Sequence, residues 1–140
     1  MHKMKAAVRR QYGSPKEIKI EELEKPIPNE NEILIKVHAT TVNRTDCANL
    51  TAKPFIMRFV LGVFKPKKII LGTDFAGRIE AIGKNVRSHS LNDKVFGFTD
   101  TGVQSQAEYL VLTPKGNVLT LPENIDYKFA AASMEGAHYA

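Results

Sequence analysis

The chain has 140 residues, 43% of them hydrophobic and 25% charged, with a net charge of +5 and a single cysteine. That composition fits one globular domain and disfavours disorder. One cysteine excludes an internal disulfide framework or a four-cysteine zinc lobe, and it favours a reducing, cytoplasmic setting.

In chain order, Met1–Arg10 carries charge with no apolar core behind it, so no secretory leader is expected. Lys5–Arg10 (with Ala6, Ala7 and Val8) reads as a first strand, and Tyr12-Gly13-Ser14-Pro15 as a turn. From Ile18 to Leu23 apolar and charged residues alternate, with Ile18 and Ile20 against Lys19 and Glu21, which predicts a half-exposed strand. Pro26 and Pro28 then remove ladder donors and impose an extended bend. Ile33–Ala39 is the clearest strand: Ile33, Ile35, Val37 and Ala39 share one face, and Leu34, Lys36 and a solvated His38 the other. The polar run Val42–Asp46 ends it, and Thr45–Thr51 fits one short helical turn.

Phe55–Phe64 is apolar nearly all round, so periodicity does not type it; a short buried helix and a hydrophobic loop over a cleft both fit. At ten residues, broken by Arg58, it falls well short of the roughly 20 that a membrane helix needs, and no membrane partner is expected. Leu71–Val86 alternates like a strand, with Phe75, Gly77, Ile79 and Ala81 on one face. A glycine at 77 in an inward face signals a crowded small barrel, and Gly83-Lys84-Asn85 reads as a turn. Ser88–Asp93 is turn-like, Lys94–Phe98 a strand, Thr99–Gln104 a loop, Gln106–Leu112 an alternating strand placing Tyr109 in the core, and Asn117–Leu121 a last strand. Tyr127–Met134 is a helix start with Asp126 as its N-cap. About seven short strands and late helicity predict a mainly β, partly open barrel with a few short helices.

The basic surplus is spread along the chain, with one cluster at Lys65, Lys67 and Lys68. No aromatic residues interleave with it as on a nucleic-acid platform, so nucleic acid is not expected as a partner. A phosphate-bearing cofactor and an ordinary basic surface are the remaining readings. The four histidines show no metal-ligand spacing, and no serine sits in a nucleophile elbow. Cys47 reads as a small buried hydrophobe.

The stretch GTDFAGRIEAIGKNV (Gly72–Val86) resembles the signature of the medium-chain dehydrogenase/reductase superfamily. The turn at 12–15, the Pro26/Pro28 bend, Ile33–Val37, Val42–Asp46, Asp93–Gly97 and Ala107–Tyr109 follow in what looks like family order. The resemblance implies a GroES-like catalytic domain over residues 1–125. Residues 126–140 would then start a linker helix toward a Rossmann domain that this chain lacks. Zinc alcohol dehydrogenases place a metal-binding cysteine, a histidine and a glutamate where Asn43, Thr73 and Asp74 stand, which implies a zinc-independent, quinone-oxidoreductase-like branch without zinc. The resemblance further implies an NADPH (or NADH) cofactor and a small-molecule quinone, enone or carbonyl substrate. Asn43 and Thr73 would touch cofactor and acceptor, and Asp74 would either act beside them or pair with Arg44 as scaffold. Asp46 and Phe55 would lie near substrate, Asp46 having the competing role of N-cap to a turn at 47–50. Some quinone reductases carry a tyrosine where this chain has Ala48, so no proton-donor tyrosine is expected there. A homodimer and a non-catalytic binding or oligomerisation module are the other possibilities weighed.

Overall fold

The computed structural model describes residues 2–53, 55–99 and 101–139. Seven strands form two antiparallel sheets. Strand β1 (Lys3–Val8) pairs with β2 (Lys19–Glu24), and a five-stranded sheet runs in the order β6-β3-β4-β5-β7, with β3 Ile33–Ala39, β4 Asp74–Ile82, β5 Lys94–Phe98, β6 Tyr109–Leu112 and β7 Val118–Thr120. Single bridges, Ala6 to Ala107 and Val8 to Ile70, tie the small sheet to the large one. Among the described residues the strands do not close into a full barrel. The expected mainly β, partly open architecture is the one observed.

Ile33, Ile35, Phe75, Ile79 and Val95, each 0% exposed, form the core between β3, β4 and β5, joined by Leu110 of β6. Burying such side chains is worth about 1.5–3 kcal/mol each. At Gly77 β3 packs tightly on β4: a Cβ there would lie 2.9 Å from Ile35 Cγ2 and collide with the carbonyl oxygen of Lys36. Leu34, expected to face outward, is 5% exposed, and a register break between Leu34 and Ile35 interrupts the simple two-face alternation there.

Several boundaries move. The first strand ends at Val8 rather than Arg10, and Arg9, 2% exposed, turns inward. Strand β2 shows Ile20 to solvent at 71% and half-buries Glu21, whose carboxylate meets Arg10 at 2.7 Å; Leu23, on the same face as Glu21, packs on the Met4, Ala6 and Val8 cluster and makes that face the inner one. Over the expected 106–112 strand the regular pairing to β3 starts at Tyr109, and Ala107 makes only its single bridge to Ala6; Tyr109 is half-buried under Lys25 Nζ, 4.0 Å from its ring centroid. His38 is exposed as expected, and its ring stacks on Tyr127 with centroids 4.5 Å apart.

Among the described residues three α-helices, α1 Arg44–Thr51, α2 Met57–Leu61 and α3 Tyr127–Tyr139, and a 3-10 turn at Pro15–Glu17 complete the fold. Asp126 fills its expected capping position, its Oδ1 accepting from Lys128 N at 2.9 Å. Helix α3 lies on the sheet through Ala130 and Ala131 against Ala76 and Leu121. The apolar run 55–64 is not a buried helix: it forms the short α2 with Phe55, Ile56, Phe59, Val60 and Phe64 each more than 60% exposed. No helix among the described residues is long and apolar enough to cross a membrane.

Candidate functional site

The elbow between β3 and α1 meets the start of β4, and the polar residues of both converge there. Asn43 has extended backbone (φ −119°) and caps α1: its Oδ1 accepts from Asp46 N at 3.0 Å, and Asp46 Oδ2 accepts from Asn43 N at 3.0 Å. This reciprocal capping box satisfies two orphan donors of the first turn. The idea of Asp46 as the N-cap of a turn at 47–50 is therefore corrected. The helix starts at Arg44, so Asp46 is its third residue and reaches back to the cap. Its other oxygen accepts from Gly72 N at 3.1 Å, linking α1 to the entry of β4.

Gly72 has φ +117°, and a Cβ there would lie 2.7 Å from Ser105 N; only glycine meets both demands. It delivers Thr73 and Asp74, both 0% exposed, beneath the elbow. Asn43 Nδ2 donates to Thr73 Oγ1 at 2.6 Å and to Asp74 Oδ2 at 3.3 Å. The Asp74 carboxylate also accepts from Thr41 N at 2.7 Å, from Thr40 Oγ1 at 3.1 Å and from Thr41 Oγ1. Thr40 Oγ1 lies 2.9 Å from Ser105 Oγ. The partners of Asp74 are thus hydroxyls and amides, not Arg44, whose side chain is exposed.

This geometry limits the chemistry. Thr73, Asp74 and Asp46 (1% exposed) lie below the surface, whereas Asn43 is half-buried and reaches it. Both amide hydrogens of Asn43 are engaged, and its Oδ1 keeps one free lone pair. Asn43 Oδ1 thus retains acceptor capacity, while Thr73 and Asp74 hold the amide plane. Sequence reasoning placed Asn43, Thr73, Asp74 and Asp46 together and missed Thr40, Thr41 and Ser105. The available signal was a pair of threonines directly after the strand Ile33–Ala39.

Phe55 is not brought to this cluster. It is 63% exposed and meets Phe59 edge-on, ring centroids 6.4 Å apart. Its neighbours do line a cavity of about 420 Å³, walled by Met57, Val60, Leu61, Leu71 and Gly72 among others. Cys47 is exposed, not buried. Among the described residues, no group of three or more His, Cys, Asp or Glu is placed to hold a metal ion. The amide, hydroxyl and carboxylate at 43, 73 and 74 bind one another, and only the carboxylate is a usual zinc ligand.

Residues 29–123 match the alcohol dehydrogenase GroES-like domain. The chain is 36% identical over 122 residues to a quinone oxidoreductase of Sus scrofa, covering 86% of this chain and 34% of that protein; it thus spans about a third of the length of such curated relatives. The structure superposes on the quinone oxidoreductase of Coxiella burnetii with TM-score 0.79 at 28% identity, covering 94% of this chain and 41% of the other. It shares its fold with mycobacterial Rv1454c, solved in complex with NADPH (TM-score 0.75, 22% identity, 97% and 39% coverage).

Proposed function

The chain belongs to the alcohol dehydrogenase GroES-like domain family of the medium-chain dehydrogenase/reductase superfamily, and from that premise we propose that it is the substrate-side half of an NAD(P)H-dependent, zinc-independent oxidoreductase. The acceptor is a quinone, an enone or a carbonyl. The reading carries the domain division with it: residues 1–125 form the catalytic domain, and 126–140 begin the connection to a dinucleotide-binding domain. A cytoplasmic location belongs to the same reading.

The observation that carries the proposal is the Asn43–Thr73–Asp74 cluster at the β3–α1 elbow, with its one surface-reaching amide. A bound nicotinamide supplies hydride; this chain supplies position and polarity. The free lone pair of Asn43 Oδ1 suits a donor on the cofactor, such as a ribose hydroxyl or a carboxamide N–H. The donor set fits that role and does not fit a catalytic zinc, so no step runs through a metal. Thr73 holds the Asn43 amide by its hydroxyl oxygen, and the buried Asp74 holds Thr40, Thr41 and Asn43 in register. Both act as positioning residues.

The test uses the extended gene product. Asn43→Ala should raise the KM for NAD(P)H at least tenfold with the fold intact by circular dichroism. An unchanged KM removes Asn43 from the cofactor. The 140-residue chain alone should bind NADPH weakly, because the glycine-rich phosphate loop of such enzymes belongs to the dinucleotide-binding half; submicromolar binding by calorimetry contradicts this division of labour. A second reading, a non-catalytic oligomerisation module, is favoured by the exposed apolar side chains of residues 55–64. It predicts ring-shaped oligomers and no response to cofactor.

A further inference from the structure

Between Asp46 and Asp74 the chain contains no acidic residue and five cations: Lys53, Arg58, Lys65, Lys67 and Lys68. Those five equal the net charge of +5 of the whole chain, so the rest of the sequence is electrically balanced. This same segment builds most of the 420 Å³ cavity between α2 and the residues entering β4. That volume lies within the roughly 300–1,000 Å³ usual for small-molecule sites. Its apolar wall is Met57, Val60, Leu61, Ile70 and Leu71, and its cations are Arg9, Lys67 and Lys68.

Arg9 is 2% exposed and has no carboxylate within ion-pair distance among the described residues. It donates to the carbonyl oxygens of Asn49 and Lys68 and packs over the Tyr12 ring at 5.2 Å, while its Nε has no hydrogen-bond partner. Lys68 Nζ donates to Thr101 O at 3.2 Å and Gly102 O at 2.7 Å, which leaves one of its three hydrogens free. Burial pushes both the Arg9 guanidinium and the Lys68 ammonium below their ordinary values, as expected for cations without a counterion. Arg9 is thus a buried charge, costly until it is paired, and Lys68 is an exposed cation beside it on the cavity wall.

We infer that this cavity binds an amphiphilic carboxylate: an apolar body against Met57, Val60, Leu61, Ile70 and Leu71, with a singly charged head paired to Arg9 and Lys68. The spare donors suit two carboxylate oxygens. Gly72 lines the cavity, adjoins Thr73 and donates to Asp46, so the cavity borders the Asn43 cluster. The inference rests on the proposed function only in naming this molecule a substrate; the pocket's preference for an anion stands apart from it.

The test is a titration of the ¹⁵N-labelled 140-residue chain with decanoate and with 1-decanol, read by amide shifts. Decanoate should give saturable shifts centred on Leu61, Ile70, Leu71, Gly72 and Gly102, and decanol should need at least tenfold higher concentration. Arg9→Gln risks the fold, so the variant is Lys67→Gln/Lys68→Gln, which should weaken decanoate at least fivefold and leave decanol unchanged. Raising sodium chloride from 20 to 200 mM should weaken decanoate alone. Equal binding of the two ligands, shifts centred elsewhere, no saturable binding, or a double variant with unaltered decanoate affinity would each overturn the inference. Saturable decanoate binding in an extended gene product that oxidises no NAD(P)H with quinone, enone or carbonyl acceptors would sink the proposed function and leave the pocket assignment standing.

Discussion

Asp74→Asn is the most informative single substitution, because it changes charge and one acceptor while keeping shape. In the native protein the carboxylate takes four contacts through its oxygens: from Thr40 Oγ1, Thr41 N, Thr41 Oγ1 and Asn43 Nδ2. An asparagine oxygen in the place of Oδ1 keeps Thr40 and Thr41 N. Its NH₂ group then faces the Thr41 hydroxyl, which can turn to accept, and the Asn43 amide, which cannot. Two charge-assisted bonds are lost or weakened and one donor is stranded. Bonds to charged groups are worth about 1.5–3 kcal/mol each, and part is recovered from the new Asn–Thr41 bond, so the net loss is about 2–3 kcal/mol. With a urea m-value of about 2 kcal/mol/M the midpoint should fall by about 1–1.5 M, and the Tm by roughly 10 °C. The measurement is equilibrium urea unfolding of both proteins by circular dichroism. A midpoint shift under about a tenth of that, with unchanged m, would show that the buried carboxylate is not the hub described and that Thr40, Thr41 and Asn43 are held by other means.

Three further outcomes follow from the same coordinates. Gly77→Ala drives a Cβ into the Lys36 carbonyl and to 2.9 Å from Ile35 Cγ2; rigid backbone has little room to yield, so a loss of at least about 3 kcal/mol or failure to fold is expected by thermal melt, and a melt within 2 °C of the parent would refute the close β3–β4 contact. Cys47 is exposed, so a thiol reagent should titrate one equivalent from the native chain, and a need for denaturant would return Cys47 to the interior. His38 lies beside Tyr127 with its pKa lowered from 6.5, first by desolvation and then by Lys36 and Arg78. The unfolded state therefore binds more protons as pH falls below 6.5, and stability declines from there until the folded imidazole also protonates. His38→Gln should flatten that part of the stability profile by a modest amount, since the ring is exposed, and an identical slope in the variant would exclude His38 as its source.

How far the fold could be read from residues depended on whether hydropathy alone decided burial. It did for β3 and β4: Ile33, Ile35, Phe75 and Ile79 were placed inward by alternation and are 0% exposed, and Gly77 marked the crowding between them. It failed where burial depends on what surrounds a segment. Residues 55–64 have no period, so nothing in them says whether another surface covers them, and here they stand largely exposed. Strand β2 faces the other way because Leu23, on the same face as Glu21, packs on the Met4, Ala6 and Val8 cluster, which leaves Ile20 on the outer face.

The instructive failure is α1. Its buried stripe is Asp46, Asn49 and Leu50, which is the i, i+3, i+4 spacing of a helix face written mostly in polar residues. Cys47 falls off that stripe and so is exposed, although hydropathy would have chosen it first. The face can carry Asp46 because both its carboxylate oxygens are bonded, one to the amide of Asn43 and one to that of Gly72, while the main-chain carbonyl of Asn49 accepts from the Arg9 side chain. A polar group buried with its hydrogen bonds made costs little; the same group left unpaired costs about 1–3 kcal/mol. The stripe is thus readable only once the elbow at 40–46 and the turn at 72–74 are known to meet, and that meeting sits about thirty residues apart in the chain. Local rules and tertiary demand part company at α1 because its buried face is set by the distant entry to β4 that it bonds, not by its own hydropathy.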